Sequence, residues 1–325
     1  MRKIRLFLCV SVLCVLAVRD VSRAGEARES GPEVVVRIAV PQAPPALPVL
    51  RMIESGAMRG LADLQITVWT APEQLIAMVQ DGNHHMFAFP LTVAAKLHNK
   101  GVGIKLTNVN TWGVTYFVTS DPDCASWGDL KGKTLFVPMK SSTPDALTQY
   151  FLGRAGLKPG RDLEVVYSTM PEIAQLLRSG KAHYATLLEP QVTGALSGNP
   201  SLRVPFSFEG EWQKIKGDES MIPNAGFGAT TAFIDANPEL VRAFEREYEK
   251  ATNWVLEHPE EAGKLAEDHL GLRAATISAA IPRLGLHYKG ADAASAEVEE
   301  LFRLLFDFSP DMVGKKIPDA TLYWK

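Results

Sequence analysis

Two stretches of the chain share one order of apolar and polar positions. Residues 63–82 read DLQITVWTAPEQLIAMVQDG, and residues 162–180 read DLEVVYSTMPEIAQLLRSG. In each stretch, the alternation typical of a β-strand leads into Thr-x-Pro-Glu, then into apolar residues at helical spacing, and ends at glycine. The pattern predicts Thr70 and Thr169 as helix N-caps, each in a capping box with the glutamate three residues later.

Each stretch follows another strand and helix. Residues 34–40 form a largely β-branched run, as expected of a strand buried on both faces, and Pro41 ends it. The counterpart at residues 135–137 ends at Pro138. The two prolines are 97 residues apart and the two Asp-Leu pairs are 99 apart, so both landmarks keep one register. We therefore predict two β-α-β-α-β units with parallel strands; the alternative is an accidental likeness between two α/β segments.

The segments between and after the two units predict how they are joined. Strand-like residues suggest that the chain passes to the second unit near residue 115 and returns near 225–230, which makes a hinge. From Asn237 onward the apolar stripes are those of amphipathic helices, expected to pack on the first unit. The predicted fold class is α/β: two doubly wound lobes joined by a two-strand hinge. The predicted domains are a signal peptide at 1–24, lobe one at 33–116 plus 229–325, and lobe two at 117–228.

The first residues have the pattern of an export signal. A basic start precedes an apolar run at residues 6–18, which is short for a membrane span, and small residues lead to a predicted cut after Ala24. The alternative is a retained membrane anchor. We expect a cleaved, periplasmic protein.

Removal of residues 1–24 also changes the charge and the cysteine content. It takes five basic residues from the 34 Lys and Arg and one acid from the 37 Asp and Glu, which leaves a net charge of −7. This charge argues against nucleic acid as a partner and against anionic membrane surfaces. Only Cys124 then remains of the three cysteines, so no internal disulfide is expected.

Ligands of doubly wound folds bind outside the carboxyl ends of the strands. Applied to both predicted lobes and the hinge, this rule selects a set of candidate ligand-binding residues. They are Gln42, Ala43, Phe89, Pro90, Leu91, Trp112, Lys140, Ser141, Ser142, Thr143, Glu189 and Gly226.

The chemistry of these candidates admits a structural and a binding role in each case. The hydroxyls at 141–143 suit an oxyanion or a carbonyl beside Lys140, but they are also ordinary helix caps. Phe89 and Trp112 suit either ring stacking or core packing. Glu189 suits an amine or amide ligand, an arginine partner or a helix cap. Gln42 offers an amide, and Gly226 allows close approach of backbone to ligand or serves the hinge.

Residues 126–157, SWGDLKGKTLFVPMKSSTPDALTQYFLGRAGL, and 176–190, LLRSGKAHYATLLEP, carry a family resemblance. They resemble the substrate-binding proteins of bacterial ABC importers, specifically the nitrate/sulfonate/taurine-type group with the type II periplasmic binding protein fold. One departure is His183-Tyr184, where many members have an acidic residue and alanine. The resemblance implies a monomeric clamshell that closes on a small organic or oxyanion-type ligand and delivers it to an ABC permease in the inner membrane. It implies no catalytic residue, cofactor or metal.

Two other classes stay open. Thiamine-pyrimidine synthases and menaquinone-pathway lyases resemble this fold, although the former carry a cysteine-rich motif that one cysteine cannot supply. A binding protein that feeds a sensor or receptor has the same sequence pattern as an importer component. A metal site at His84 and His85 is disfavoured because neighbouring strand residues point to opposite faces.

Overall fold

The strands of the chain form two separate sheets of six and five strands. The computed structural model describes residues 34–325, so the predicted signal peptide at 1–24 lies outside the described residues. The strands are β1 Val34–Pro41, β2 Ala62–Trp69, β3 Met86–Pro90, β4 Ile104–Trp112, β5 Thr115–Thr119, β6 Thr134–Pro138, β7 Glu164–Ser168, β8 Tyr184–Leu188, β9 Arg203–Ser207, β10 Pro223–Thr230 and β11 Leu286–Gly290.

Helices cover the faces of these sheets. They are α1 Leu47–Ser55, α2 Pro72–Gln80, α3 Leu91–Asn99, α4 Thr143–Arg154, α5 Met170–Arg178, α6 Gln191–Gly198, α7 Phe208–Lys216, α8 Thr231–Ala236, α9 Pro238–Glu257, α10 Pro259–Leu270, α11 Ala274–Ala280 and α12 Ser295–Phe308. Short 3₁₀ turns include Pro44–Ala46 and Ile281–Arg283. Within residues 34–325, no helix combines the length and apolarity needed to cross a membrane.

The two sheets repeat one arrangement. In the first sheet, β1 is parallel to β2 and β3, and β10 runs antiparallel to β3. In the second sheet, β6 is parallel to β7 and β8, and β5 runs antiparallel to β8. Strands β4 and β11 complete the first sheet, and β9 completes the second. The predicted α/β class with two similar halves is therefore confirmed.

The chain passes between the sheets twice, and the two connections are bonded to each other. The first lies between β4 and β5, and the return lies between α7 and β10. The N–H of Gly113 in the first donates to the carbonyl of Ile222 in the second at 2.9 Å. Gly113 has a φ of 52°, which favours glycine, and a Cβ there would lie 2.4 Å from the Glu209 carboxylate and displace it.

The return comes slightly earlier than the sequence suggested. Strand β10 already belongs to the first sheet from Pro223, whereas the return was expected near 225–230. The glycines that suggested a hinge lie inside the sheet. A Cβ at Gly226 would lie 2.1 Å from the carbonyl oxygen of Asn108 on β4, so glycine is needed there for strand pairing. The exact limits of the two lobes remain a prediction.

The two repeated helices begin differently. In α5 the Thr169 hydroxyl accepts the N–H of Glu172, as predicted for an N-cap, but the Glu172 carboxylate accepts the Ser168 hydroxyl and does not close a capping box. In α2 the N-cap is Ala71, and the Gln74 side chain accepts the N–H groups of Thr70 and Ala71 at 2.8 and 3.3 Å. The prediction of a capping box from Thr70 was therefore wrong. Pro72 occupies the first helical position, which makes its neighbour the cap.

The C-terminal helices pack on the first sheet, as predicted, and also reach the second. Helix α9 packs against α1 and β11, whereas α11 contacts α6 and α12 contacts α4. One apolar core joins the α1–α9 layer to the first sheet, and a second continues from Phe89 through Phe117 to Trp127. The C-terminal segment therefore spans the junction between the sheets.

A carboxyl group lies buried between α9 and the first sheet. Glu245 is 4 % exposed, and Asn108 Nδ2 donates to its Oε2 at 2.8 Å. Burial raises the pKa of Glu245 to about 6, from a usual value of 4.5, and the Asn108 hydrogen bond opposes that rise. The native state thus binds this proton more tightly than the unfolded chain. Stability from this group is present below pH 4.5 and is lost as the pH rises through about 6.

Glu245→Gln is expected to remove this pH dependence while it keeps an acceptor for Asn108. Between pH 5 and pH 8 the wild-type protein should lose about 1 kcal/mol of unfolding free energy more than the variant, because only its carboxyl group must ionise inside the core. Urea unfolding at both pH values measures the difference. Glu239→Gln, at the exposed start of the same helix, is the control. If the wild-type protein and both variants lose the same unfolding free energy between pH 5 and pH 8, the pH dependence does not come from Glu245.

Candidate functional site

A cavity of about 280 Å³ lies where the two sheets meet. It is bounded by the carboxyl ends of β1, β2, β3 and β8, which is where the strand-end rule places a ligand. Its wall is mostly apolar. The lining residues are Pro41, Gln42, Ala43, Pro44, Pro45, Trp69, Ala88, Phe89, Pro90, Thr111, Val114, Met170, Leu188, Glu189, Pro190, Gln191, Asn224, Ala225, Leu272, Leu284 and Leu286.

Five of the candidates from the sequence are on this wall. Gln42, Ala43, Phe89 and Pro90 follow or end strands β1 and β3, and Glu189 follows β8 on the opposite side. The structure thus brings together the strand ends of both halves that the sequence selected.

The loop at residues 140–143 lies outside this wall, and several of its polar groups bond to neighbouring residues of the chain. The Ser142 hydroxyl donates to the Pro138 carbonyl and accepts the N–H of Asp145, so it caps α4. The N–H of Ser141 donates to the Asp145 carboxylate at 2.8 Å. Lys140 Nζ lies 5.8 Å from the centre of the Tyr167 ring. These contacts match the capping role that the sequence left open.

Trp112, Leu91 and Gly226 are also absent from the wall. Trp112 is 2 % exposed, and its indole N–H donates to the carbonyl of His287 at 2.8 Å. Leu91 is buried at the start of α3, and Gly226 lies within the first sheet. Their surroundings are those of core residues.

Other wall residues were not selected from the sequence. Trp69 ends β2, and Met170 begins α5 just after the end of β7, so the strand-end rule applied to the second strand of each copy would have found them. Thr111, Val114, Asn224 and Ala225 border the hinge. Leu272, Leu284 and Leu286 come from the C-terminal segment, where no sequence signal points to a cavity.

Glu189 joins the two sides of the cavity. Its side chain has no exposed surface, and its carboxylate accepts the N–H and the hydroxyl of Thr193, each at 3.0 Å. Arg283 Nε, from the C-terminal segment, donates to the same carboxylate at 2.6 Å, and Arg283 Nη2 donates to the Thr193 hydroxyl at 2.8 Å. This is the arginine pairing that the sequence left open for Glu189. The Glu189–Arg283 ion pair therefore bridges β8 and the segment that precedes β11.

Tyr116 adds a second bond across the same junction. Its hydroxyl donates to the carbonyl of Arg283 at 2.8 Å. Burial, followed by the nearby charge of Glu189, raises the pKa of Tyr116 to about 12. The phenol therefore stays protonated at physiological pH and remains a donor.

Comparison with solved structures agrees with this architecture. An ABC transporter protein from Parabacteroides distasonis is 24% identical with a TM-score of 0.78, over 90% of this chain and 99% of that one. The periplasmic aliphatic sulphonate binding protein SsuA from Escherichia coli is 15% identical with a TM-score of 0.72, over 91% and 93%. The periplasmic nitrate-binding protein NrtA from Synechocystis PCC 6803 is 12% identical with a TM-score of 0.60, over 86% and 84%.

These likenesses and the inter-sheet cavity define the class as the type II periplasmic binding protein fold. The chain belongs to the NMT1-like family, whose pattern matches residues 57–268. The putative binding protein YtlA of Bacillus subtilis (strain 168) is 26% identical over 150 residues, which are 46% of this chain and 42% of that protein. The match thus spans less than half of YtlA. The resemblance stated from the sequence motifs is confirmed at the level of family and fold.

Proposed function

We propose that the protein is the solute-binding component of an ABC importer. It captures a small organic ligand in the cavity between the sheets and presents the closed form to a permease in the inner membrane. The observation that carries this proposal is a cavity of about 280 Å³ with walls from both halves and an ion pair across its rim. The export pattern and the solved relatives named as periplasmic binding proteins support a periplasmic location.

Ligand exchange in this arrangement requires the two sheets to separate. The two connections bonded at Gly113 and Ile222 are where the chain bends, and the first sheet moves against the second. The Glu189–Arg283 pair breaks on opening, because its partners belong to opposite halves. Closure removes the ligand from water and restores the pair.

The chemistry of the wall favours binding over catalysis. Among the wall residues that the structure describes, Glu189 is the single ionisable one, and its carboxylate is already bonded to Arg283 and Thr193. A general acid or base needs a free group within reach of the substrate. This favours a binding protein over a lyase or synthase of the same fold.

Thermal-shift screening followed by transport assays tests the proposal. A ligand at one hundred times its Kd should raise the stability of the purified protein by about 2.7 kcal/mol. Mass spectrometry should recover the compound unchanged after incubation, and deletion of the gene should abolish its uptake by cells. A chemically altered compound would indicate an enzyme. Unchanged uptake with an altered transcriptional response would indicate a sensor.

A further inference from the structure

The wall of the cavity offers no free positive charge. No lysine, arginine or histidine is among the lining residues of the described chain. Arg283 contacts the wall through Glu189, and its guanidinium is bonded to Glu189 and Thr193. The N–H of Thr193, in the first turn of α6, also donates to Glu189. Glu189 therefore already uses the charge and the helix-terminal N–H that an anionic ligand would need.

Three primary amides on the wall have hydrogen-bonding capacity to spare. Gln42 Nε2 donates to the carbonyl of Leu270 at 2.8 Å, which leaves its Oε1 as an acceptor. In the described chain, the side chains of Gln191 and Asn224 bond to no protein group. Gln191 comes from the second half, and Gln42 and Asn224 come from the first. Amides both donate and accept, so they recognise uncharged polar groups of the same kind.

The remaining wall is apolar and partly rigid. Prolines at 41, 44, 45, 90 and 190 surround the cavity, with Trp69 and Phe89 at the ends of β2 and β3. The volume is at the small end of the range for ligand pockets. Such a wall fits a compact apolar body, and a long or strongly hydrated solute would gain little binding free energy from contact with it.

We propose that the ligand is an uncharged molecule with a compact apolar body and an amide-like polar edge, such as a carboxamide, lactam or urea. This inference rests on the proposed binding function and specifies its substrate class. It sets the chain apart from fold relatives named for sulphonate and nitrate. The amide side chains hydrogen-bond to the polar edge, and the prolines and aromatic residues enclose the apolar body. Anions are disfavoured because Glu189 already occupies the Arg283 guanidinium.

Matched compounds test the charge preference. The probes are benzamide, phenylurea and 2-pyridone, together with benzoate, benzenesulfonate and nitrate, within a fragment library of equal uncharged, anionic and cationic parts. Calorimetry should rank uncharged carbonyl compounds as the tightest binders, with benzamide at least tenfold tighter than benzoate or benzenesulfonate. Tightest binding by an anion or a cation, or no binding by any uncharged compound, overturns the inference. An anion that binds and is transported leaves the proposed function standing, whereas turnover of an uncharged compound refutes that function alone.

Variants of the wall provide the second arm. Asn224→Ala and Gln191→Ala should each weaken the best uncharged binder about tenfold, whereas Gln213→Ala, which removes an amide from α7 away from the cavity, should not. Glu189→Gln leaves the Arg283 guanidinium without its anion, so it should strengthen benzoate binding at least tenfold and change benzamide less. The inference is wrong if both amide variants bind the uncharged compound with wild-type affinity, or if Glu189→Gln leaves the affinity for benzoate unchanged.

Discussion

Replacement of Gly285 by alanine is expected to lower the free energy of unfolding by about 2–5 kcal/mol. Gly285 has a φ of 59°, which costs an alanine about 1–2 kcal/mol. Its added Cβ would lie 1.6 Å from the carbonyl oxygen of Trp112, and overpacking of this kind costs about 1–3 kcal/mol more. The N–H of Trp112 donates to the Gly285 carbonyl at 2.8 Å, so relief of the clash also strains that bond. Urea unfolding measures the loss.

Gly271→Ala is the matched control for this substitution. Gly271 ends α10 with a φ of 67°, but a Cβ there meets no atom within 4 Å. It carries the backbone cost without the clash, so a loss of about 1–2 kcal/mol is expected. The two variants together separate backbone conformation from close packing. Similar losses in both would show that contact with Trp112 is not the cause.

Gly285→Ala should also reduce ligand affinity. Leu284 and Leu286, on either side of Gly285, both line the cavity, and Arg283 holds Glu189. A shift of this segment therefore moves the wall and the ion pair together. Gly82→Ala should bind with wild-type affinity, because Gly82 has a φ of 71° at an open position and neither of its neighbours lines the cavity.

Arg283→Ala is expected to weaken ligand binding by about 10–100-fold, or ~1.4–2.7 kcal/mol. The closed form would keep the Glu189 carboxylate buried without its cation, while opening lets water reach it. The effect should be smaller than the 3–5 kcal/mol typical of fully buried pairs, because Arg283 is 38% exposed. Calorimetry with the tightest compound from the screen measures the change.

A double variant distinguishes the ion pair from loss of arginine packing. Arg283→Ala with Glu189→Gln removes both charges, so it should regain most of the affinity that the single arginine variant loses, with a coupling of about 1–3 kcal/mol. Arg242→Ala, which breaks an exposed pair with Glu239 on α9, should have no effect. If the double variant still binds weakly, the loss in Arg283→Ala does not come from an unpaired charge on Glu189.

Much of the fold is readable in the apolar pattern. The order strand, proline, helix, Asp-Leu strand, Thr-x-Pro-Glu helix and strand recurs at a nearly constant interval, and the structure turns each copy into three parallel strands around β1 or β6. Local interactions are sufficient to define these elements, because the alternation of apolar and polar residues and the prolines that end strands act within about twenty residues.

Local signals were less reliable where two readings of one residue competed. The serines at 141 and 142 were candidates both as ligand donors and as caps. In the structure the Ser142 hydroxyl donates to Pro138 and the Ser141 N–H donates to Asp145. The glycines of β10 read as a hinge, yet Gly226 serves close strand pairing. In each case a neighbour that is not apparent from the pattern determines the role.

The sequence by itself determined the two similar α/β halves, the family, and the strand ends where Gln42, Phe89 and Glu189 meet. Only the tertiary structure decided which strand ends form the cavity and what closes it. Arg283 and Glu189 are 94 residues apart in the chain, and their pairing depends on how the C-terminal helices pack across both sheets. Periodicity encodes contacts within an element, whereas an ion pair between distant elements depends on their three-dimensional packing.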